Sequence, residues 1–206
     1  MASDNESEIT LQLLSMIEDS ATVSQRSMAN RLGIALGLAN AYLGRCIRKG
    51  YVKISKVPAQ RYAYYLTPHG FVEKSRLTAE FVTQSFSLFR QARTQYSELL
   101  SRCVDNGWNR VVFVGASDLT EIAVLCASEL TLQPLAVLDE NRDEDMLGLP
   151  LIRDLSAVGE VDAVIITAMV TPQFAFERMT ALLPTERVLH PKLLRISRLL
   201  GNPETP

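Results

Sequence analysis

The chain has 206 residues, of which 47% are hydrophobic and 21% are charged, and its formal net charge is −2. This length allows two domains, and no apolar run approaches the ~20 residues of a membrane-spanning helix, so no membrane partner is expected. The acidic, polar start of the chain predicts no signal peptide. Three scattered cysteines and two histidines exclude a disulfide framework, argue against a metal site and predict a cytoplasmic protein.

Basic and acidic residues are segregated along the chain. Residues 22–66 hold eight basic residues and no acidic one, which leaves 13 basic and 23 acidic residues elsewhere. A local excess of positive charge in an acidic protein attracts a phosphate backbone. Residues 111–206 have seven basic and 14 acidic residues and should repel nucleic acid, so contact is expected from the first segment.

The first predicted elements are three helices. One spans residues 7–19 and has an apolar face, and the next is capped by Ser24 and stopped by Gly33. A third helix spans about residues 36–49 and ends at Gly50. The residues of this third helix that we predict to face inwards are Leu36, Ala39, Leu43, Cys46 and Ile47.

A basic hairpin is predicted to follow, with strands over residues 51–54 and 61–66 and a turn at residues 58–60. Two helices joined by a tight turn and followed by a hairpin form the winged helix-turn-helix plan. In that plan the second helix enters the major groove of double-stranded DNA, and the hairpin lies along the backbone.

This plan predicts a role for each polar residue of the segment. Asn40 is the best candidate for reading a base, since asparagine bonds adenine through two hydrogen bonds. Phosphate contacts are predicted at a helix start (Arg26, Ser27) and on the hairpin (Lys53, Lys56, Gln60, Arg61), and Gly37, Asn40 and Arg45 are predicted to lie on or near the groove-facing side.

The segment from Ser24 to about Val82 resembles the MarR-type winged-helix regulators that are associated with exopolysaccharide gene clusters. Its most specific matches are Leu32-Gly33-Ile34, Leu36-Gly37, Asn40, Lys49-Gly50-Tyr51-Val52-Lys53 and Tyr65-Leu66-Thr67-Pro68-His69-Gly70. The resemblance implies a transcriptional regulator of polysaccharide or cell-surface sugar genes. That family usually has a polar residue at Ala35 and a basic one at Leu38, so its base preference does not carry over.

One long helix is predicted from Pro68 to about Asp105, and it contains no further proline. Its apolar stripe either packs across a two-fold axis as the seam of a homodimer, which we expect, or folds back onto the second domain of the same chain. The stripe consists of Leu77, Phe81, Leu88, Ala92, Tyr96, Leu99 and Cys103.

The rest of the chain alternates strands and helices, which predicts a Rossmann-like, mostly parallel sheet. The predicted strands are residues 110–114, 135–138, 149–152, 163–167 and 187–189, with helices at residues 121–130 and, capped by Thr171, up to residue 183. The expected fold is therefore α/β with two domains joined by a long linker helix. Its boundaries are 1–67 for the winged helix-turn-helix domain, 68–106 for the connecting helix and 107–206 for the Rossmann-like domain.

The turn after the first parallel strand is where such sheets bind phosphates. Gly115 begins the dinucleotide pattern G-x-G-x-x-G, but Ser117 and Thr120 replace its second and third glycines. Asp139 ends the second strand, near the usual position of a ribose-binding acid. The predicted ligand-binding residues are Gly115, Ala116, Ser117, Asp118 and Asp139.

Residues 110–168 are also similar to the Rossmann-like N-terminal domain of bacterial sugar O-acyltransferases. Gly115-Ala116, Leu138-Asp139-Glu140 and Gly148-Leu149-Pro150-Leu151 carry this similarity, which implies a nucleotide-sugar ligand. Two alternatives remain open: the effector is a nicotinamide dinucleotide, or the α/β half is a ligand-free dimerisation or docking module. The sequence contains no recognisable catalytic constellation, so no enzyme is predicted.

Overall fold

The computed structural model describes residues 2–57, 61–140, 142 and 145–197, with the backbone alone described for residues 2–5, 57 and 61. The chain divides into two compact units, Met1–Phe86 and Ser87–Pro206. The predicted fold class is confirmed, because a winged helix-turn-helix, a long helix and a parallel sheet follow one another along the chain. Within the described residues, no helix combines the length and apolar character needed to cross a lipid bilayer.

The first unit contains three helices and a two-stranded antiparallel hairpin. The helices are α1 (Ala2–Asp19), α2 (Gln25–Leu32) and α3 (Leu36–Arg48), and the strands are β1 (Val52–Val57) and β2 (Arg61–Leu66). The predicted caps of α2 are confirmed: the Ser24 side chain accepts the amide N–H of Ser27 at 3.1 Å, and Gly33 ends the helix at φ 63°.

The apolar faces of these elements meet in one core, which also takes in Leu77 from the helix after the hairpin. The core includes Leu13, Leu14, Ile17, Met28, Leu43, Cys46, Val52 and Tyr64. The prediction that Leu36 faces inwards is wrong, because its side chain is 46% exposed. Leu36 is the first residue of α3, where the helix has just left the turn at Gly33 and has not yet reached the core.

The long helix α4 (Pro68–Asp105) begins against the base of the hairpin. Thr67 caps it, accepting the amide N–H of Gly70 at 3.0 Å and donating its hydroxyl to the carbonyl of Gly50 at 2.6 Å. A Cβ at Gly70 would lie only 2.1 Å from the carbonyl oxygen of Tyr51, so this close approach requires glycine.

The second unit is built on a five-stranded, entirely parallel sheet. Its strands are β3 (Val111–Val114), β4 (Ala136–Leu138), β5 (Leu151–Ile152), β6 (Ala163–Ile166) and β7 (Val188–Leu189), in the order β5-β4-β3-β6-β7. The order reverses between β3 and β6, which creates a switch point at the carboxyl ends of these strands.

Helices cover both faces of this sheet. The C-terminal part of α4 and α5 (Asp118–Glu129) pack on one face through Tyr96, Leu100 and Ala123, and α6 (Pro172–Thr180) packs on the other. Two predicted details are wrong. The Thr171 side chain makes no capping hydrogen bond, and α6 ends at Thr180 rather than residue 183.

The apolar stripe of α4 is divided between the two units. Leu77 belongs to the core of the first unit, and Ala92, Tyr96 and Cys103 are fully buried in the core of the second. These residues pack within their own chain, so the prediction that they form a dimer seam is wrong. Of the other stripe residues, Phe81 and Leu88 are exposed, at 48% and 50%, and Leu99 is half-buried.

Candidate nucleic-acid interface and sheet-edge site

The outward face of α3 has small side chains along its centre. Ala39, Leu43 and Cys46 are buried on the opposite face. Gly37, Asn40, Ala41 and Arg48 are exposed and Gly44 is half-buried, at the spacing of three and four that places residues on one side of a helix. A Cβ at Gly37 would have no atom of the described residues within 4 Å, so the backbone at this position is open.

Arg48 is a functional candidate that the sequence reasoning missed. It is exposed in the last turn of α3, four residues after Gly44, on the same outward side as Gly37. The sequence signal for Arg48 was its spacing of 11 residues from Gly37, which is just over three full helical turns. Arg48 therefore extends the basic surface along the outward face of α3.

The side chain of Arg45 points differently from the prediction that it lies near the groove-facing side. Its guanidinium pairs with the carboxylate of Glu6 on α1 and lies 5.1 Å from the ring centre of Tyr42. In this conformation the Arg45 side chain links α3 to α1. A contact between Arg45 and DNA remains a prediction that requires the pair with Glu6 to open.

The start of α2 holds the two residues predicted to contact phosphate. Arg26 is exposed, and Ser27 is half-buried with its amide N–H directed to the Ser24 cap. Next to them, the amide of Gln25 donates to the hydroxyl of Tyr64 at 3.1 Å. This hydrogen bond fixes the start of α2 against the hairpin.

The hairpin presents two lysines to solvent. Lys53 pairs with Tyr65 across the strands and Lys56 with Tyr62, and all four side chains are exposed. Successive strand residues alternate in direction, so the two lysines point to opposite faces of the hairpin. Gln60 lies outside the described residues, and of Arg61 only the backbone, paired with Val57, is described.

The turn between β3 and α5 brings together all five predicted ligand-binding residues. Gly115, Ala116 and Ser117 form the turn itself, and Asp118 is the first residue of α5. The Asp139 carboxylate reaches the turn from the end of β4 and accepts the amide N–H of Ala116 at 2.7 Å. Asp118 is exposed and Gly115 is buried.

Side chains at this turn accept hydrogen bonds from the backbone N–H groups of the turn. The amide of Ser117 donates to the Thr120 hydroxyl at 3.1 Å, and the amide of Leu119 donates to the Ser117 hydroxyl at 3.1 Å. The hydroxyls of Thr120 and Thr167 each donate to the carbonyl of Gly115 at 2.6 Å. Backbone N–H groups at the start of a helix are the groups that bind a phosphate. A phosphate that binds the amides of Ser117 and Leu119 would therefore have to displace the two hydroxyls that accept from them.

The sequence reasoning missed the contribution of β6 to this turn. The Ser117 hydroxyl donates to the carbonyl of Thr167 at 2.6 Å, directly after β6. Ala168 lies so close to Gly115 that the two loops leave no room for a side chain at the glycine. Only the pairing of β3 with β6 brings these residues together, because they are 50 residues apart in the chain.

Comparisons with known proteins bear on the first unit. Residues 6–53 match the family model of winged helix-turn-helix DNA-binding domains, and no curated protein matches the chain. Similar solved structures include the PcaV transcriptional regulator from Streptomyces coelicolor with its natural ligand, at 18% identity over 47% of this chain and 72% of that one, with a TM-score of 0.37.

Two further structures show comparable likeness. MepR, a transcription regulator of the Staphylococcus aureus multidrug efflux pump MepA, is 17% identical over 50% of this chain and 77% of its own, with a TM-score of 0.37. A MarR transcriptional regulator from Methanosarcina mazei Go1 is 23% identical over 48% of this chain and 76% of its own, with a TM-score of 0.33. The family match and the observed helices and hairpin together identify the first unit as a winged helix-turn-helix domain.

Proposed function

We propose that the protein is a DNA-binding transcriptional regulator that inserts α3 into the major groove. The observation that carries this proposal is the exposed outer face of α3 within a segment of eight basic residues and no acidic one. Such a surface attracts phosphates along its whole length, and the match of residues 6–53 to winged helix-turn-helix domains supports the same partner.

The residues of this surface have distinct proposed roles. Asn40 reads an adenine through its side-chain amide, and Gly37 lets the helix backbone approach the base edges. Arg48 extends the contact surface at the far end of α3. Contacts with backbone phosphates are proposed for Arg26, Ser27, Lys53, Lys56, Gln60 and Arg61.

Selection of duplexes from a random pool by the full-length protein tests this proposal. We expect enrichment of a defined site, with Asn40→Ala losing the preference at one A·T position and weakening binding there by about 1–3 kcal/mol. Gln133→Ala, at an exposed residue of the second unit, is the matched control and should bind like the wild type. Failure to retain any duplex at low ionic strength would refute DNA binding itself.

The target genes are a narrower proposal. The resemblance of residues 24–82 to regulators of exopolysaccharide clusters supports polysaccharide or cell-surface sugar genes as targets. Genome-wide mapping of bound sites tests this, and a set of sites with no relation to sugar metabolism would contradict it.

We propose that the regulator is a homodimer joined through the middle of α4. Residues 81–91 are all exposed, and the apolar residues among them are Phe81, Val82, Phe86, Leu88 and Phe89, at 39–59% exposed. Exposed apolar residues on one helix segment are typical of an interaction site, and a second copy of the chain would remove them from water. A dimer also matches the two half-sites that helix-turn-helix proteins bind.

Sedimentation at micromolar concentration tests the dimer. We expect the wild type to be dimeric and Phe86→Glu to be monomeric, because the charge would be buried in the seam. Phe174→Glu, at a 64% exposed phenylalanine of the second unit, is the control and should stay dimeric. A monomeric wild type, or a dimeric Phe86→Glu variant, would refute this seam.

For the second unit, the closed turn after β3 supports a ligand-free dimerisation or docking module. A nucleotide, nucleotide-sugar or nicotinamide dinucleotide at Gly115, Ala116, Ser117, Asp118 and Asp139 would first have to break the hydrogen bonds that close the turn. We therefore expect no thermal shift of the wild type with NADH or UDP-glucose. A dose-dependent stabilisation by either compound, lost in Asp139→Ala, would instead establish effector binding.

A further inference from the structure

The first turn of α3 exposes two leucines. Leu36 and Leu38 are each 46% exposed, although α3 buries a full apolar face elsewhere. The residues around them, Ala35 and Gly37, carry no polar side-chain group, and Ala35 caps the helix without a side-chain hydrogen bond. The end of α3 that would enter a groove first therefore offers only aliphatic side chains.

The two leucines flank the open backbone at Gly37, and Leu36 is the one that neighbours Asn40. At about 100° per residue, Leu36 and Leu38 lie on either side of Gly37, and Asn40 lies one turn beyond Leu36. Because a Cβ at Gly37 would meet no described atom within 4 Å, the helix backbone between the two leucines is open to a close approach. Base edges that reach Asn40 would lie beside Leu36, and base edges over Gly37 would lie between the two leucines.

The chemistry of the major groove then selects the base. Thymine is the base that presents an apolar group there, its C5-methyl, whereas the other edges offer hydrogen-bond donors and acceptors that leucine cannot satisfy. Polar edges facing leucine would lose their water without gaining a partner.

We propose that Leu36 and Leu38 contact thymine C5-methyl groups and so direct the regulator to A·T pairs next to the adenine read by Asn40. This inference rests on the proposed DNA binding. It assigns a role in base specificity to two leucines, although leucine usually packs in the core of a helix-turn-helix unit.

Replacement of single thymines by deoxyuracil tests the proposal, since it removes the methyl and leaves the hydrogen-bonding groups unchanged. The probe is the duplex most enriched from a random pool by the full-length protein. We expect the affinity of the wild type to fall about fourfold for each contacted thymine that is replaced, because this is the factor that burial of one methyl group contributes. The double variant Leu36→Ala/Leu38→Ala should bind thymine and deoxyuracil duplexes equally.

Leu125→Ala is the matched control, because Leu125 is a 55% exposed helical leucine of the second unit. It should keep the wild-type discrimination. Equal binding of both duplexes by the wild type at every position, or discrimination that persists in the double variant, would overturn the thymine contact while leaving DNA binding intact. No enrichment of any duplex would instead be a failure of the proposed function.

Discussion

Gly115 and Ala168 lie in such close contact that a Cβ on the glycine would be 2.4 Å from the Cα of the alanine. The glycine also has φ 104°, a backbone conformation that residues with a side chain rarely adopt. The contact joins the loops that follow β3 and β6, at the point where the strand order reverses. The contact between Gly115 and Ala168 keeps closed the turn at which a Rossmann-like sheet would bind a phosphate.

Gly115→Ala should therefore destabilise the second unit by about 2–4 kcal/mol, from backbone strain and from the collision together. Urea unfolding followed by the fluorescence of Trp108, the one tryptophan of the chain, measures this change. Gly148→Ala is the control, because Gly148 has φ 79° but no atom of the described part of the chain lies within 4 Å of its Cβ position. It should cost only about 1 kcal/mol, and equal losses would show that the contact with Ala168 is unimportant.

Tyr96→Phe should destabilise the same unit by about 1–3 kcal/mol. The fully buried Tyr96 hydroxyl donates to the carbonyl of Ile166 at 3.0 Å, and its removal leaves that carbonyl without this donor. Trp108 fluorescence during urea unfolding reports the change. The same substitution at Tyr62, which is 48% exposed, should alter stability by less than about 0.5 kcal/mol. A neutral Tyr96→Phe variant would show that this hydrogen bond contributes nothing.

Lys53→Ala and Lys56→Ala should each weaken binding to all duplexes alike and lower the slope of log affinity against log salt by about 1. The reason is that each exposed lysine would neutralise one phosphate and release its counterion. Titrations at several salt concentrations measure the slope. Lys192→Ala, at an exposed lysine of the second unit, should leave the slope unchanged. An effect confined to one base position would contradict the phosphate role.

The thiols of Cys46 and Cys103 should resist alkylation in the folded protein. Burial raises the pKa of each from 9.0 to about 11, outweighing Lys49 and Arg45 near Cys46, which lower it. At about pH 8 the reactive thiolate is then roughly 100-fold rarer than in an unfolded chain. Mass spectrometry after iodoacetamide treatment, with and without denaturant, tests this. Rapid labelling of the folded protein at either cysteine would contradict the burial.

The same raised pKa values fix the direction of a pH effect on stability. The fold favours the neutral thiols, so their contribution to the free energy of unfolding is complete below about pH 9 and is lost as the pH rises towards about 11. Cys46→Ala should reduce this loss for the first unit.

Much of the fold could be predicted because its signals are local. Ser24 and Gly33 bound α2 through interactions with adjacent residues, and buried parallel strands appear as short apolar runs such as residues 111–114. The position of α5 was predicted less accurately, because it begins at Asp118 rather than residue 121. Its start is capped by Ser117, a residue interpreted from the sequence as part of a phosphate loop.

The amino-acid sequence alone determined the winged helix-turn-helix plan, the long helix, the parallel sheet and the basic surface, because periodicity, caps and charge act over a few residues. Tertiary structure decided that Tyr96 packs inside its own unit, that Arg45 pairs with Glu6 and that Thr167 and Ala168 close the turn at Gly115. Each of these contacts joins residues separated by tens of positions. Spacing along the chain does not encode them, because only the packing of helices and strands brings the partners together.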